Sequence, residues 1–245
     1  MMADLILPDP RMEMPELFEP GRKPTGPVEI DWDHWAGKIC RYAFIPSNRR
    51  DIAKNDGVFT EGSIVSASVA EFDNSSKFQY SSPFDVLTEF TVIAKIRRDT
   101  QGFDGLFSDK NAANWGSTPG ISLNGLTSSS SGYSFVIGPS TNALSVNNAT
   151  APLRGWHTVA ATYTAGATDG MKLYVNSAQI GARTPTSGYT ASSQNLRIGT
   201  YYAEGSSWSW DGAVEYLMVF GRDLSADIGL MREISRHPHQ FLIPA

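Results

Sequence analysis

Glu29-Ile30-Asp31-Trp32-Asp33 places acids at alternate positions. Two carboxylates on one strand face, about 5–5.5 Å apart, are what a retaining glycoside hydrolysis requires. The acidic pattern stops at His34, and the stretch sits among prolines, so it reads instead as a capped lead-in with Trp32 and Trp35 packed on the domain behind it. His157 falls in an alternating segment and is expected to face solvent or a polar neighbour, while His237-Pro238-His239 reads as a surface tail rather than a metal pair. No G-x-S-x-G supplies a nucleophile elbow. Cys40, the one cysteine, cannot form an intramolecular disulfide and reads as a buried thiol. The aromatic loops remain. Trp115 follows Asn111-Ala112-Ala113-Asn114, and Tyr201, Tyr202 and Trp208 lie in a Gly/Ser/Glu-containing loop. Flat rings beside amides and hydroxyls suit the C–H faces and hydroxyl groups of sugars, so Trp115, Tyr201, Tyr202 and Trp208 are the expected ligand-binding residues. Trp210 is expected in the core.

The elements that must hold these residues are strands. A period of two puts Phe90, Val92, Ala94 and Ile96 on one face of a strand, and Met171, Leu173 and Val175 on one face of another. Further short strands are predicted at 39–45, 63–72, 77–80, 105–108, 121–123, 133–137, 143–146, 156–163, 196–202 and 213–220, separated by loops rich in Gly, Ser, Asn and Thr. No long helical pattern lies between them, which excludes βαβ units and predicts an all-β antiparallel sandwich over residues 38–224. Leu224, Ile228, Met231 and Ile234 recur at helical spacing behind Ser225, the expected N-cap, so residues 225–245 are expected to be a short helix and tail.

Residues 1–37 differ in kind. Six of the chain's 14 prolines, Pro8, Pro10, Pro15, Pro20, Pro24 and Pro27, fall here, each fixing φ and removing a backbone donor. An extended arm is expected, anchored on a partner through Leu5, Leu7, Met12, Met14, Leu17 and Phe18. The 245 residues are 41% hydrophobic and 18% charged with net charge −5, a globular composition that argues against a nucleic-acid partner. No apolar run approaches the ~20 residues of a membrane span, and the N-terminus lacks a basic, apolar leader, so membrane insertion and secretion by a signal peptide are not expected.

Gly155-Trp156-His157-Thr158-Val159-Ala160-Ala161-Thr162-Tyr163, followed by Met171-Lys172-Leu173-Tyr174-Val175-Asn176, resembles the paired central strands of laminin-G-like, concanavalin A-like jelly rolls. Trp210 to Ser225 resembles the closing strand of that family, and Ala70 to Phe78 an upstream segment; together they cover most of the chain from Ile64 to Ser225. Val214 stands where the family often has Asp, Asn74 and Ser177 where it often has Gly. The resemblance implies a concanavalin A-like fold and a lectin-like surface. It also implies calcium on loop oxygens such as those of Asp73, Asp109 and Asn111, although the acid missing at Val214 and the lack of a dense acidic loop make no bound cofactor the working expectation. Glu29-Ile30-Asp31 is similar to part of the catalytic strand of laminarinase-type glycosidases, which lies mid-sheet in the same jelly roll.

The flanks carry a second resemblance. Lys23 to Trp32 and His237 to Pro244 are similar to the opening and tail of laminin-G-like proteins encoded among bacteriophage structural genes. That implies a non-catalytic virion protein, decorating a capsid or sitting on a tail, with capsid or tail subunits, a second copy or a cell-surface glycan as partners. The alternatives are a carbohydrate-active enzyme or free lectin of the same fold, and a host-cell adhesion module.

Overall fold

The computed structural model describes residues 27–59, 64–65, 69–73, 76–100, 102, 104–110, 119–126, 132–138, 143–147, 153–201 and 208–245. The first elements are β1 (Val28–Ile30), α1 (Trp35–Ile39), β2 (Cys40–Phe44), β3 (Val58–Phe59), β4 (Ile64–Val65), β5 (Ala70–Phe72), β6 (Phe78–Gln79), β7 (Glu89–Arg98) and β8 (Gly105–Ser108). There follow β9 (Ile121–Gly125), β10 (Tyr133–Ile137), β11 (Ala143–Val146), β12 (His157–Thr164), β13 (Met171–Val175), β14 (Ala178–Arg183), β15 (Arg197–Ile198), β16 (Gly212–Phe220), α2 (Ile228–Arg236) and β17 (Leu242–Pro244).

Two antiparallel sheets face each other, as the alternating patterns require. The larger runs β14-β13-β12-β7-β16-β5-β4, with β2 also paired to β16, and the smaller runs β11-β10-β9-β8-β15-β6-β3. Because side chains alternate along a strand, the register sorts the residues into rows. Across the larger sheet Leu173, Ala161, Val92, Val219 and Tyr42 are mutual neighbours. Across the smaller, Phe59, Phe78, Ile198, Phe107, Leu123, Phe135 and Leu144 form the matching row. Both rows belong to the cluster between the sheets. Trp210 is fully buried in it, as its place in the sequence implied.

The larger sheet is apolar on its other face too. Tyr174, Ala160, Ile93, Met218 and Ala43 make a second row, and the termini cover it. Val28 and Ile30 of β1, Ala36 of α1, Met231 and Ile234 of α2, and Phe241 and Leu242 bury themselves there in a second cluster. β1 pairs with β17, Ile30 opposite Leu242. On its free edge the Asn48 side chain substitutes for a strand, its amide nitrogen donating to Val28 O at 2.7 Å and its oxygen accepting from Val28 N at 3.3 Å. Gly37 lets α1 turn against this layer, since a Cβ there would lie 2.0 Å from Asp31 O.

Four expectations are corrected here. The arm does not run to residue 37: residues 28–37 belong to the fold, because Val28 and Ile30 find an apolar sheet face on their own chain. The arm's proposed anchors Leu5, Leu7, Met12, Met14, Leu17 and Phe18 lie outside the described residues. The helix is capped by Asp227, whose Oδ1 accepts from Leu230 N, rather than by Ser225. The tail is not a surface tail, since His239 is buried and residues 242–244 form β17. Trp35 packs against the terminal cluster as expected, but Trp32 is 52% exposed.

Candidate functional site

With the outer face of the larger sheet covered, the outer face of the smaller one is where the fold leaves polar groups in a row. Gln79, Arg197, Ser108 and Ser122 are register neighbours across β6, β15, β8 and β9. One step along, Asn124, Ser134 and Ser145 line up across β9, β10 and β11. All alternate with the core row, so all project away from the core. The centre of this face is closed to solvent, with Ser108, Ser122, Asn124, Ser134 and Arg197 buried, while Ser145 at its edge is exposed.

Hydrogen bonds knit most of the row. Asn124 Nδ2 donates to Ser122 Oγ at 2.9 Å, and Ser134 and Ser145 hydroxyls meet at 2.9 Å. Arg197 Nη2 donates to Lys110 O at 2.5 Å, and Lys110 Nζ to Gly138 O at 2.7 Å. Burial pushes the Lys110 ammonium down to about 8, against the pull of Asp109, and the Arg197 guanidinium down to about 10. Among the described residues, two buried polar atoms on this face, Asn124 Oδ1 and Arg197 Nε, find no hydrogen-bond partner, which is costly unless something else completes them.

The aromatic loop stands at the end of the same sheet. The chain leaves β15 through Gly199 and Thr200 and returns at Ser209, which bridges both Thr200 and Gly105, the residue opposite Asn124. Tyr201 N donates to Trp208 O at 3.1 Å, closing the loop's base. Tyr201 is a correction: it is fully buried and cannot present its ring to a ligand, whereas Trp208 is half-buried with its ring 5.7 Å from that of Tyr201. β15 ends at Ile198 and Gly199 takes φ 89°, so the chain turns there and the Tyr201 ring is buried at the base of the loop. Trp115 and Tyr202 lie outside the described residues.

The other candidates have structural tasks. Asp109 is buried, its Oδ1 accepting from Ile121 N at 2.6 Å and its Oδ2 from Tyr189 OH at 3.0 Å and Phe84 N at 3.3 Å; burial raises its pKa despite these donors. Asp73 accepts from the Ser76 amide and hydroxyl. Asn111 lies outside the described residues, among which no three His, Cys, Asp or Glu side chains gather as a metal would require. Asp31 caps a turn, its Oδ1 accepting from Asp33 N and His34 N, and Glu29 lies on β1 in the terminal layer, far in topology from the mid-sheet position that catalysis needs. His157 has the polar neighbours expected, Tyr133 OH at 2.5 Å and Gly155 O at 2.8 Å; burial lowers its pKa. Cys40 is buried and burial raises its pKa. Asp51 was not singled out by sequence. It is buried under the 46–57 loop and accepts from Ala43 N, Ala53 N, Lys54 N and Tyr80 OH at 2.7–2.9 Å. Burial raises it to about 6.

Residues 72–228 match the family model of the concanavalin A-like lectin/glucanases superfamily. No curated protein matches the sequence. Among solved structures, the chain is similar to domain 4 of an extracellular arabinanase from Geobacillus stearothermophilus in complex with arabinotriose, at 14% identity and a TM-score of 0.60, covering 80% of this chain and 98% of that one. It is also similar to the binding domain of botulinum neurotoxin serotype D (11% identity, TM-score 0.58, 80% and 50% covered) and to a sialidase from Trypanosoma rangeli (11%, 0.57, 82% and 33%). At these identities the likeness is one of fold.

Proposed function

The chain belongs to the concanavalin A-like lectin/glucanase superfamily, and from that premise we propose that it is a non-catalytic carbohydrate-binding protein whose ligand lies at the Trp208 end of the smaller sheet. One observation carries this reading: the half-buried Trp208 ring stands at the end of the smaller sheet, whose seven strands contain no Asp or Glu. An indole at a sheet end offers an apolar platform for the C–H face of a sugar, and the buried polar row beside it holds the strands that carry it. Acid–base cleavage of a glycosidic bond instead needs two carboxylates flanking it, which those strands do not offer. The arabinotriose held by the arabinanase domain and the general use of this fold by lectins favour the same reading.

We further propose that the protein works as a virion component, with capsid or tail subunits as partners. The support is the resemblance of the two flanks to bacteriophage structural proteins, together with the finding that those flanks meet as β1 and β17 in one sheet. Titrating oligosaccharides into the protein and into Trp208→Ala tests the binding claim. Loss of binding with an unchanged melting temperature supports it, and unchanged binding refutes the location. Sedimentation with intact particles tests the virion claim.

A further inference from the structure

A groove of about 760 Å³ opens on the other side of the fold, where the β1–β17 layer meets the loop crossing from β2 to β3. Its volume is that of a small-molecule site. Trp32, Asn48, Arg49, Arg50, Asn55 and Glu29 are among its lining residues. Trp32 offers an indole that is 52% exposed, although a ring of this size normally finds cover. Arg49 and Arg50 are exposed, and neither guanidinium makes a hydrogen bond or ion pair among the described residues. Asn55 is likewise exposed and its amide is unengaged.

The frame around these groups is fixed. Asp51 ties the loop from below through its four donors, and Arg49 and Asn55 are held at φ 56° and 54°, a left-handed backbone few non-glycine residues adopt. Asn48 is locked on β1. Gly57, at φ 93°, sits where a Cβ would strike the Phe78 ring, so the loop is also pinned to the core.

We propose that this groove is a second carbohydrate site, specific for an acidic oligosaccharide. The Trp32 indole supplies the stacking face for a pyranose ring, the adjacent Arg49 and Arg50 guanidinia fork onto its carboxylate, and Asn55 and Glu29 take hydroxyl groups. Two exposed guanidinia without an ion pair among the described residues offer an acidic sugar charge-assisted hydrogen bonds that a neutral sugar cannot match. The site shares no residue with the Trp208 end of the smaller sheet and does not rest on the function proposed there.

The test uses the full chain, titrated calorimetrically and by tryptophan fluorescence with sialylated and uronate-containing oligosaccharides and with their neutral counterparts. Acidic oligosaccharides are expected to bind at least about tenfold more tightly than neutral ones. Trp32→Ala and the pair Arg49→Gln/Arg50→Gln should each weaken that binding about tenfold or more. Trp208→Ala should leave it in place, which separates this site from the first. Circular dichroism confirms that the variants are folded, as expected for exposed positions. No binding of any acidic oligosaccharide, equal binding of the neutral ones, or affinity unchanged in Trp32→Ala overturns the proposal.

Discussion

Two deletions, of residues 1–26 and of residues 1–37, differ by the segment that carries β1 and the start of α1, and their difference in stability measures what that segment contributes. Val28 and Ile30 are 1% and 3% exposed, covered by the outer row of the larger sheet and by Phe241 and Leu242. At about 1.5–3 kcal/mol for each fully buried aliphatic side chain, the longer deletion forfeits roughly 3–6 kcal/mol. The lost β1–β17 ladder and the newly exposed apolar face add to this. For a domain of this size about 2–4 °C of melting temperature accompanies each kcal/mol, so the two deletions should melt roughly 6–24 °C apart. Ile30→Ala in the full chain gives an independent reading, with a cost of about 2–5 kcal/mol. Thermal melts followed by circular dichroism, with urea titrations for the point variant, make the measurement. Melting temperatures within about 2 °C of each other would refute the claim that the terminal layer is part of the core and restore the detachable arm.

Trp208 and Trp210 should separate cleanly: Trp210→Ala should cost about 3–5 kcal/mol, while Trp208→Ala should leave the urea midpoint nearly unchanged. Gly37→Ala should destabilise by about 1–3 kcal/mol, read from urea unfolding, because its Cβ meets Asp31 O. Burial disfavours the ionised form of Asp51 and raises its pKa from 3.8 to about 6, so the stability tied to it is whole below about pH 4 and falls as pH rises toward 6, by about 3 kcal/mol in all. Asp51→Asn removes that titration, so its destabilisation relative to wild type should be about 3 kcal/mol smaller at pH 7 than at pH 4; an equal gap at both pH values contradicts the assignment.

The sandwich was legible because its strands are short and bounded by Gly/Ser/Asn/Thr loops, β7 and β13 show a period of two, and the family-like segments set their order. The terminal layer was not. Val28 and Ile30 fall in the proline-rich stretch read as an arm, their partners on β17 lie more than 200 residues away, and nothing local says which surface they meet. Proline misled in the same region, since Pro27 precedes β1 and Pro244 ends β17 without interrupting either, as edge strands permit. Ser225 has the residue type of an N-cap, and only the Asp227–Leu230 bond shows that the helix starts two residues later. At the candidate site, residue type identified Trp208 and Tyr201 alike; which one is buried is set by the turn at Gly199, φ 89°, and not by any local pattern. The polar row of Asn124, Ser134 and Ser145 emerges only from the register of three strands. Asp51 gave no signal, because its donors are backbone amides that sequence does not reveal.

A single experiment bears most directly on the proposed function. The wild-type protein and Trp208→Ala are incubated with a panel of oligosaccharides, binding is measured by calorimetry, and the same samples are then analysed for chain length. The account predicts at least one oligosaccharide bound by wild type and recovered intact, with affinity about tenfold or more lower in Trp208→Ala. Oligosaccharides shortened in proportion to the protein added, or binding untouched by Trp208→Ala, would contradict it.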